Sequence, residues 1–269
     1  MTTVHGRGIA LVTGATAGLG AQFASQLAQR GHPLVLVARD RARLEASAAS
    51  LQLAHGVRVE IIIADLATDE GVDRVVARLV AQPAIDVLAN NAGFGTKGNL
   101  ATADPAAQDA MVRLHVLAVH RLTQAALPAM VAAGRGAIIT VSSVASYLTS
   151  AGNMNYCATK AYQRVSMEAL ANEVGEHGIY VQALCPGLTH TEFHRRAALR
   201  MTDVPASLWM EADEVVRASL QAMDRGGPTV VVPGFKNRVM LTIARLMPPR
   251  IMAIAAAVRR RRARQVSGR

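Results

Sequence analysis

The chain reads Ile9-Ala-Leu-Val-Thr-Gly14-Ala-Thr-Ala-Gly18-Leu-Gly20 near its start. Four apolar residues lead into a turn with the glycine spacing G-x-x-x-G-x-G, and the alanine-rich residues 21–30 follow it. Glycine lets the backbone turn tightly and approach a pyrophosphate, while the N-terminus of the next helix attracts the phosphate charge. The spacing differs from the G-x-G-x-x-G fingerprint. Because the turn lies between an apolar run and a helical stretch, it indicates a dinucleotide site; the alternative is an ordinary turn.

Short apolar runs alternate with longer helical stretches along the rest of the chain. The predicted strands are Leu34–Asp40, Val57–Ile63, Ile85–Ala89, Gly136–Ser142, Ile179–Leu184 and Thr229–Val232. This alternation predicts an α/β fold with a doubly wound, mostly parallel, Rossmann-like sheet. The length of 269 residues suits one large domain, and no linker-like segment divides it. We expect a dinucleotide-binding and catalytic domain over residues 1–235 and a basic, apolar C-terminal extension over residues 236–269.

Tyr156-Cys-Ala-Thr-Lys160 places a phenol and an ammonium four residues apart, on one face of a predicted helix. A nearby cation favours the phenolate and lowers a phenol pKa from its usual value of about 10. Ser143 lies thirteen residues before Tyr156 and follows a buried apolar run, which puts its hydroxyl at the carboxyl edge of the sheet, where α/β proteins bind ligands. A hydroxyl there could hold a carbonyl while the tyrosine protonates it. Y-x-x-x-K alone also recurs on ordinary solvated helices.

Four separated motifs together resemble the classical short-chain dehydrogenases/reductases from Ile9 to about Pro233. They are Thr13–Gly20, Asn90-Asn-Ala-Gly93, Ser143 with Tyr156 and Lys160, and Pro186-Gly-Leu-Thr-His-Thr191. The resemblance implies a single Rossmann-like domain, a nicotinamide cofactor, and hydride transfer between that cofactor and a carbonyl or alcohol. It also implies that Tyr156 is the acid–base, that Lys160 lowers its pKa and contacts the nicotinamide ribose, and that Ser143 positions the substrate oxygen.

The same resemblance implies which residues hold the cofactor. Asp65 matches the position beside the adenine ring, and Asn90 matches the residue that steadies the central sheet. Thr191 resembles the threonine that binds the carboxamide, with Thr189 as a competing choice. The expected cofactor-binding set is Gly14, Thr16, Gly18, Leu19, Gly20, Arg39, Asp65, Leu66, Asn91, Ala92, Gly93, Tyr156, Lys160, Pro186, Gly187, Thr189 and Thr191.

The end of the second predicted strand bears on the type of cofactor. An NAD enzyme normally places a carboxylate there for the ribose 2′-hydroxyl, but this chain has Ala38 followed by Arg39. An arginine can pair with a 2′-phosphate through charge-assisted, often bidentate hydrogen bonds. The sequence therefore favours NADP(H). The alternative is that Arg39 is a solvated charge and Asp40 takes the ribose.

His115 departs from the family pattern. Residues 112–128 resemble the family helix that carries an active-site asparagine thirteen residues before a proline, and this chain has His115 at that place before Pro128. The family asparagine helps hold a water that links the catalytic lysine to solvent, and an imidazole could offer a donor or an acceptor instead. We therefore include His115 among the candidate catalytic residues. The alternatives are a register error, or a histidine that is tolerated because a backbone carbonyl does the work.

The charge distribution is uneven along the chain. Residues 236–269 contain ten Lys or Arg and no acid, whereas residues 1–235 contain nineteen residues of each sign. The apolar residues 239–258 include internal arginines and a Pro-Pro step, which argues against a spanning helix. A segment that is apolar with a basic end can lie in a membrane interface. Alternatively, it packs over the substrate pocket or another subunit; nucleic-acid binding is disfavoured because aromatic residues are scarce.

Other residue types restrict the location and the chemistry. Cys157 and Cys185 have no metal or redox spacing, and free thiols fit a reducing cytosol. The N-terminal residues 1–8 lack the pattern of a signal peptide, so we expect a cytoplasmic protein, with peripheral contact at the inner face of the membrane as an option. His190 and His194 are four apart, but no third ligand accompanies them, so we expect no metal.

These observations predict an NADP(H)-dependent oxidoreductase that interconverts a carbonyl and a secondary alcohol. The partner is then a small-molecule substrate, and the family resemblance implies a homo-oligomer, a dimer or tetramer. The expected pocket wall carries apolar side chains that favour a hydrophobic substrate, although the same residues could equally be core: Phe193, Leu199, Met201, Leu208, Trp209 and Met210. The alternative function is an NADPH-binding sensor or scaffold without turnover, recruited to membranes by the basic tail.

Overall fold

The part of the chain described by this computed structural model, residues 7–96, 98–149, 151–192, 205 and 208–246, folds around one sheet. Its strands are β1 Ile9–Thr13, β2 Leu34–Ala38, β3 Val59–Ile63, β4 Ile85–Asn90, β5 Gly136–Val141, β6 Ile179–Leu184 and β7 Val230–Val231. All are parallel, in the order β3-β2-β1-β4-β5-β6-β7. The predicted doubly wound, Rossmann-like fold is confirmed.

Helices cover both faces of the sheet. They are α1 Gly18–Gln29, α2 Arg41–His55, α3 Asp69–Val80, α4 Pro105–Val112, α5 Val119–Ala133, α6 Met154–Val174, α7 Ala212–Asp224 and α8 Phe235–Leu246, with a π-helical turn Arg113–Ala118 between α4 and α5. One core cluster joins the sheet to α3, α5 and α6. The other joins it to α1, α2 and α7. Burial on both faces explains why the strands read as continuous apolar runs rather than alternating ones.

Local sequence sets where the helices near the sheet edge begin. Asp40 caps α2 by accepting a hydrogen bond from the Arg43 backbone N–H at 3.0 Å. Thr68 caps α3 in the same way through Gly71 N–H at 3.1 Å, and Asp69 and Glu70 follow in the first turn, where carboxylates favour the helix dipole. These caps fix the directions in which the chain leaves β2 and β3.

The strand order reverses direction between β1 and β4, and this places a crevice at the carboxyl edge of the sheet. The glycine-rich turn follows β1, Asn91 follows β4, and Pro186 lies two residues beyond β6. β5 ends at Val141, so Ser143 lies just beyond the strand. The four sequence motifs therefore share one edge.

The C-terminal part of the described chain packs on the body. Helix α8 begins at Phe235, the last residue of the expected catalytic domain, and continues into the expected extension. Asn237 and Leu241 of this helix are buried. The apolar residues 247–258 and the arginines that follow them lie outside the described residues.

Within the described ranges, one helical run, Pro105–Ala133, is long and apolar enough by composition to cross a membrane. Leu122, Ala126 and Met130 of this run belong to the core beneath the sheet. Arg121 pairs with Asp73 of α3 at its surface. The run therefore fits a core helix of the domain.

Candidate active site

The glycine-rich turn has the geometry of an anion cradle. Gly14 and Gly18 adopt φ of 65° and 54°, in the left-handed region that favours glycine. A Cβ on Gly20 would lie 2.1 Å from the Gly14 carbonyl oxygen, so no larger residue fits there without a shift. Helix α1 begins directly after Ala17, which supplies no side-chain cap, and its first turn carries no acid. The N–H groups of that turn are thus suited to a phosphate, which fits a dinucleotide.

Two side chains tie the glycine-rich turn to the end of β4. Thr13 Oγ1 accepts from the backbone N–H groups of Asn91 and Ala92 at 2.9 and 3.0 Å. The Asn91 amide donates to Thr13 O at 2.8 Å and Gly14 O at 3.3 Å. Asn90 instead donates to Thr123 of α5 at 3.1 Å. Asn90 thus ties β4 to α5, while Asn91 ties β4 to the glycine-rich turn, because successive side chains of an extended chain point to opposite faces. The sheet-steadying role of Asn90 stays a prediction.

Ser143 and Tyr156 meet beyond the end of β5. The Ser143 hydroxyl accepts from Ala145 N–H at 3.1 Å and is hydrogen-bonded to the Tyr156 side chain. Burial raises the pKa of Tyr156 to about 12, and the Ser143 hydrogen bond acts in the opposite direction. This is the reverse of the lowered pKa that the sequence led us to expect, because desolvation of the phenol outweighs its stabilising contacts.

Lys160 is buried beside the phenol, with Nζ 5.9 Å from the centroid of the Tyr156 ring. The ammonium donates to Val141 O at 2.7 Å and to Gln163 Oε1 at 3.0 Å. Burial lowers the pKa of Lys160 to about 7. A lysine with this pKa changes charge near neutrality, which suits a group that modulates proton transfer.

His115 is fully buried in the π-helical turn. Its Nε2 accepts from Phe94 N–H at 3.2 Å, so the ring proton lies on Nδ1 and is donated to Thr159 Oγ1 at 3.0 Å. Burial, reinforced by Lys160, holds the pKa of His115 well below its usual range. The neutral ring therefore serves as a fixed hydrogen-bonding link. The backbone carbonyl of His115 accepts a hydrogen bond from Gln163 Nε2 at 2.9 Å, and Gln163 in turn contacts Lys160.

The expected adenosine end of the site carries a cation and a carboxylate on its surface. Arg39 Nη1 lies 3.6 Å from Asp65 Oδ2, and both side chains are exposed. Asp65 also accepts from Ala67 N–H at 3.0 Å. Asp40 is used as the cap of α2, which counts against its alternative role as a ribose ligand. Leu66 packs into the core, so its backbone rather than its side chain is left for a ligand.

Arg43 contacts the glycine-rich turn and was missed from sequence. Its guanidinium donates to Thr16 O at 3.3 Å and to both carboxylate oxygens of Glu192 at 3.2 and 3.3 Å. Arg43 therefore links the start of α2 to the turn after β1 through Thr16, and to Glu192, which follows Thr191. In the sequence, Arg43 is an arginine three residues after the helix cap Asp40. Helix periodicity alone does not show whether such a residue contacts the glycine-rich turn or points into solvent.

The Pro186–Gly187 segment is covered by α8. A Cβ on Gly187 would lie 2.5 Å from the side chain of Asn237, so glycine lets the helix approach closely. Thr189 is buried and its hydroxyl donates to Gly187 O at 3.1 Å. The Thr191 side chain lies instead against Gly18, 3.1 Å from the place of a Cβ there. Of the two competing threonines, Thr191 is the one beside the glycine-rich turn.

A small cleft opens beside Tyr156, and its walls include the polar side chains of Thr96, Gln108 and Asn155. Gln108 donates to Thr96 at 2.7 Å and accepts from Asn155 at 2.8 Å. Of the expected apolar wall, Phe193, Leu199 and Met201 lie outside the described residues. Leu208 is 37% exposed, the Trp209 ring stacks on His190, and Met210 accepts a hydrogen bond from Asn237 on Sδ.

Metal ligands do not cluster in the residues that the structure describes: no group of three His, Cys, Asp or Glu side chains could hold an ion there. His190 lies 3.9 Å from Glu211, while His194 is outside the described residues. Cys157 and Cys185 are buried free thiols.

Comparison with known proteins agrees with this geometry. A family model described as short chain dehydrogenase matches residues 8–201. A short-chain dehydrogenase from Sphingobium yanoikuyae, solved in complex with NADPH, is 35% identical with a TM-score of 0.81, covering 96% of each chain. A bulky-bulky ketone specific alcohol dehydrogenase from Comamonas testosteroni is 33% identical with a TM-score of 0.77, covering 89% of this chain and 92% of that one. Gluconate 5-dehydrogenase from Gluconobacter oxydans (strain 621H) is 31% identical, covering 82% and 89%.

The parallel sheet, the glycine-rich turn and the Ser-Tyr-Lys set at its edge define a dinucleotide-dependent oxidoreductase of Rossmann-like fold. The chain belongs to the short-chain dehydrogenase family, whose members act on small molecules.

Proposed function

We propose that this protein uses NADP(H) to interconvert a ketone or aldehyde with the matching alcohol. The observation that carries the proposal is the convergence of three groups beyond β5. Ser143 is hydrogen-bonded to Tyr156, and Lys160 Nζ lies 5.9 Å from the centroid of the Tyr156 ring. A hydroxyl, a phenol and an ammonium in this arrangement can hold a carbonyl oxygen and exchange a proton with it.

In reduction, Ser143 would donate a hydrogen bond to the carbonyl oxygen, and Tyr156 would give that oxygen its proton. When bound, NADPH supplies a hydride to the carbonyl carbon. The phenolate left on Tyr156 would be stabilised by the Lys160 ammonium. In oxidation the same phenolate would take the alcohol proton.

The residues proposed to hold the cofactor follow the sheet edge. The glycine-rich turn would receive the pyrophosphate, Asp65 would lie beside the adenine, and Thr191, beside Gly18, would bind the carboxamide. Preference for NADP(H) is supported by Arg39, whose exposed guanidinium follows β2, while Asp40 is engaged as a helix cap. It is supported further by the NADPH in the Sphingobium yanoikuyae relative.

We propose a hydrophobic carbonyl as the substrate, bound with its oxygen at Ser143. Apolar side chains spaced along residues 193–210 support this class, as does the similarity to an enzyme described as bulky-bulky ketone specific. The Thr96–Gln108–Asn155 side chains would meet a polar part of the same molecule in the cleft.

A homo-oligomer is proposed because apolar side chains remain exposed on neighbouring helices. Leu117 of the π-helical turn is 47% exposed, and Tyr162 and Val165 of α6 are 38% and 52% exposed. A second copy of the chain could cover such a surface.

For the C-terminal extension, residues 236–269, we propose peripheral contact with an anionic membrane, beside a catalytic domain in the cytoplasm. Support comes from ten basic residues without an acid, and from Val239, Met240 and Ile243, which are 39%, 44% and 54% exposed on α8.

The proposed function is tested by following NADPH and NADH oxidation by the purified protein against a panel of bulky and small ketones and aldehydes. We expect turnover of at least one bulky ketone, with kcat/KM at least tenfold higher for NADPH. Arg39→Ala should remove most of that preference, because the guanidinium pair with the 2′-phosphate is lost. Equal use of NADH by the unaltered protein would contradict the cofactor assignment. NADPH binding without turnover of any panel member would favour the alternative, a sensor or scaffold module.

A further inference from the structure

Gln163 occupies a position that neither the catalytic motif nor the cofactor motifs assign. It lies on α6 three residues after Lys160, so both side chains share one face of the helix. The side chain is 1% exposed. A glutamine amide at this depth must find partners for its donors and its acceptor, since a buried unpaired amide is costly.

Both ends of the Gln163 amide are bound to groups of the active site. Gln163 Oε1 accepts from Lys160 Nζ at 3.0 Å, and Gln163 Nε2 donates to the His115 carbonyl oxygen at 2.9 Å. An ammonium can only donate and a carbonyl oxygen can only accept, so the amide has one orientation that satisfies both. The side chain is a direct bridge between the π-helical turn and the ammonium.

The groups around the bridge are themselves fixed. The His115 ring is held between Phe94 N–H and Thr159 Oγ1, which in turn donates to Tyr156 O at 3.1 Å. π-helical turns inside α-helices are frequent at functional sites. Here the turn brings the carbonyl that orients Gln163 to the same buried pocket as the lysine.

We propose that Gln163 is a positioning residue that holds the Lys160 ammonium in its charged form and directs it toward the acid–base tyrosine. The proposal rests on the proposed function of Tyr156 and Lys160. With Val141 O and Gln163 Oε1 as two fixed acceptors, Lys160 keeps one N–H donor for the reacting side of the site. An amide oxygen favours the ammonium over the neutral amine, and so opposes the desolvation that acts on this lysine.

The titratable groups that face Lys160 come from three elements. Tyr156 lies on α6, His115 lies on the π-helical turn, and Cys185 follows β6, while Cys157 of α6 acts on Tyr156. His115 is neutral near pH 7 because its pKa is held low, and burial raises the pKa of Cys185, so its thiol stays protonated there. Lys160 and Tyr156 are therefore the pair whose charges Gln163 affects in the working pH range.

Gln163→Met tests the proposal, because methionine has a similar shape and offers no carbonyl oxygen. Loss of the acceptor lowers the pKa of Lys160 below its value of about 7, so the ammonium beside Tyr156 is lost at a lower pH. The limb of kcat/KM for ketone reduction that falls as Lys160 loses its proton should move to lower pH by about one unit. Gln163→Ala, which cannot overpack the site, should move it in the same direction.

The matched control is Gln182→Met on β6. Gln182 is also a fully buried amide, but it bonds to Tyr180 and Ser219 on the α7 side of the sheet. We expect loss of thermal stability without movement of the pH limb. The NMR chemical shift of the Lys160 Nζ group across the same pH range, assigned by its absence from Lys160→Met, gives a second readout that needs no turnover and should show the same downward shift in Gln163→Met.

A folded Gln163→Met protein whose pH limb and Lys160 titration both stay within about 0.3 units of the unaltered protein would overturn the proposal. Absence of turnover in the unaltered protein would contradict the proposed function instead, and the Lys160 titration would still decide whether Gln163 holds the lysine charge.

Discussion

At the scale of single residues, the buried Tyr156–Lys160 pair carries opposed pKa shifts. Burial raises the pKa of the phenol to about 12 and lowers that of the ammonium to about 7. Both shifts disfavour the charged forms, so the phenolate gains little from Lys160 above the lysine pKa. Val141 O and Gln163 Oε1 accept from the Lys160 ammonium and so favour its charged form, which is why we propose that Gln163 matters for the acid–base chemistry.

His115→Asn tests whether the imidazole acts in catalysis. The ring is neutral and bonded at both nitrogens, and it is the His115 backbone carbonyl that reaches Gln163. We expect kcat to stay within about tenfold of the unaltered protein, because the backbone is retained. The free energy of unfolding should fall by about 1–3 kcal/mol, because Phe94 N–H loses its buried acceptor.

The measurement is steady-state kinetics together with denaturant unfolding of His115→Asn. A fall in kcat of more than about a hundredfold, the lower end for a general acid–base role, would mean that the ring itself takes part. In that case the histidine could not be regarded as a tolerated replacement for the family asparagine.

Single residues were predicted from sequence to different depths. Ser143, Tyr156 and Lys160 were found because their spacing combines with strand and helix periodicity. Gln163 and Arg43 were missed, although Gln163 lies one helical turn from Lys160, because a polar residue on a helix reads as solvated until its burial is known. The pKa of Tyr156 was expected in the wrong direction because sequence spacing reveals a neighbouring charge but not desolvation.

At the scale of elements, the turn between β1 and α1 is packed too closely for any side chain at its last glycine. Gly20→Ala would put a Cβ 2.1 Å from Gly14 O and 2.4 Å from the Asn91 amide nitrogen. The backbone of the turn must then move, and its N–H groups lose their alignment with a phosphate. We expect NADPH affinity to fall at least tenfold, measured by fluorescence titration.

Gly175→Ala is the control for Gly20→Ala, since nothing lies within 4 Å of a Cβ there and its φ is −58°. We expect unchanged NADPH affinity and no loss of thermal stability for the control, because alanine suits this helical backbone. NADPH affinity that survives Gly20→Ala at its original value would exclude this turn as the pyrophosphate site.

Elements were the best-predicted level of the structure. β6 matches the predicted run at both ends, β2 ends at Ala38 rather than Asp40 because Asp40 caps α2, and β7 is shorter than Thr229–Val232. β3 begins at Val59 rather than Val57, because its pairing with β2 starts at Leu34 and Val59. The apolar run in the sequence does not show where that pairing starts. The π-helical turn at Arg113–Ala118 was not predictable, because its residues continue the helical pattern of α4 and α5.

At the scale of the whole molecule, the exposed apolar side chains of α6 predict a subunit contact. Val165→Lys places a charge in this surface, and burying an unpaired charge in an interface is costly. Light scattering should show a smaller species than the unaltered protein forms. Leu53→Lys on α2, at a residue 91% exposed on the other face of the sheet, is the control and should leave the mass unchanged. A monomeric unaltered protein would contradict the predicted contact.

The basic tail predicts salt-dependent binding to anionic vesicles. A chain ending at Leu246 keeps the buried Asn237 and Leu241 but loses seven of the ten basic residues of 236–269. The intact chain should float with anionic vesicles, with each basic residue near the lipid contributing about 1 kcal/mol, and the shortened chain should not. Failure of the intact chain to float would end the proposal of membrane contact.

The central claim is that Tyr156 exchanges the proton in a carbonyl–alcohol conversion. The most direct measurement is the rate of NADPH consumption with a ketone substrate by Tyr156→Phe, beside Tyr162→Phe, which changes a tyrosine of the same helix that is 38% exposed. We predict a loss of about a hundredfold or more in Tyr156→Phe, with NADPH binding retained, and little change in Tyr162→Phe. Turnover that persists in a folded Tyr156→Phe protein at the rate of the unaltered protein would contradict the claim.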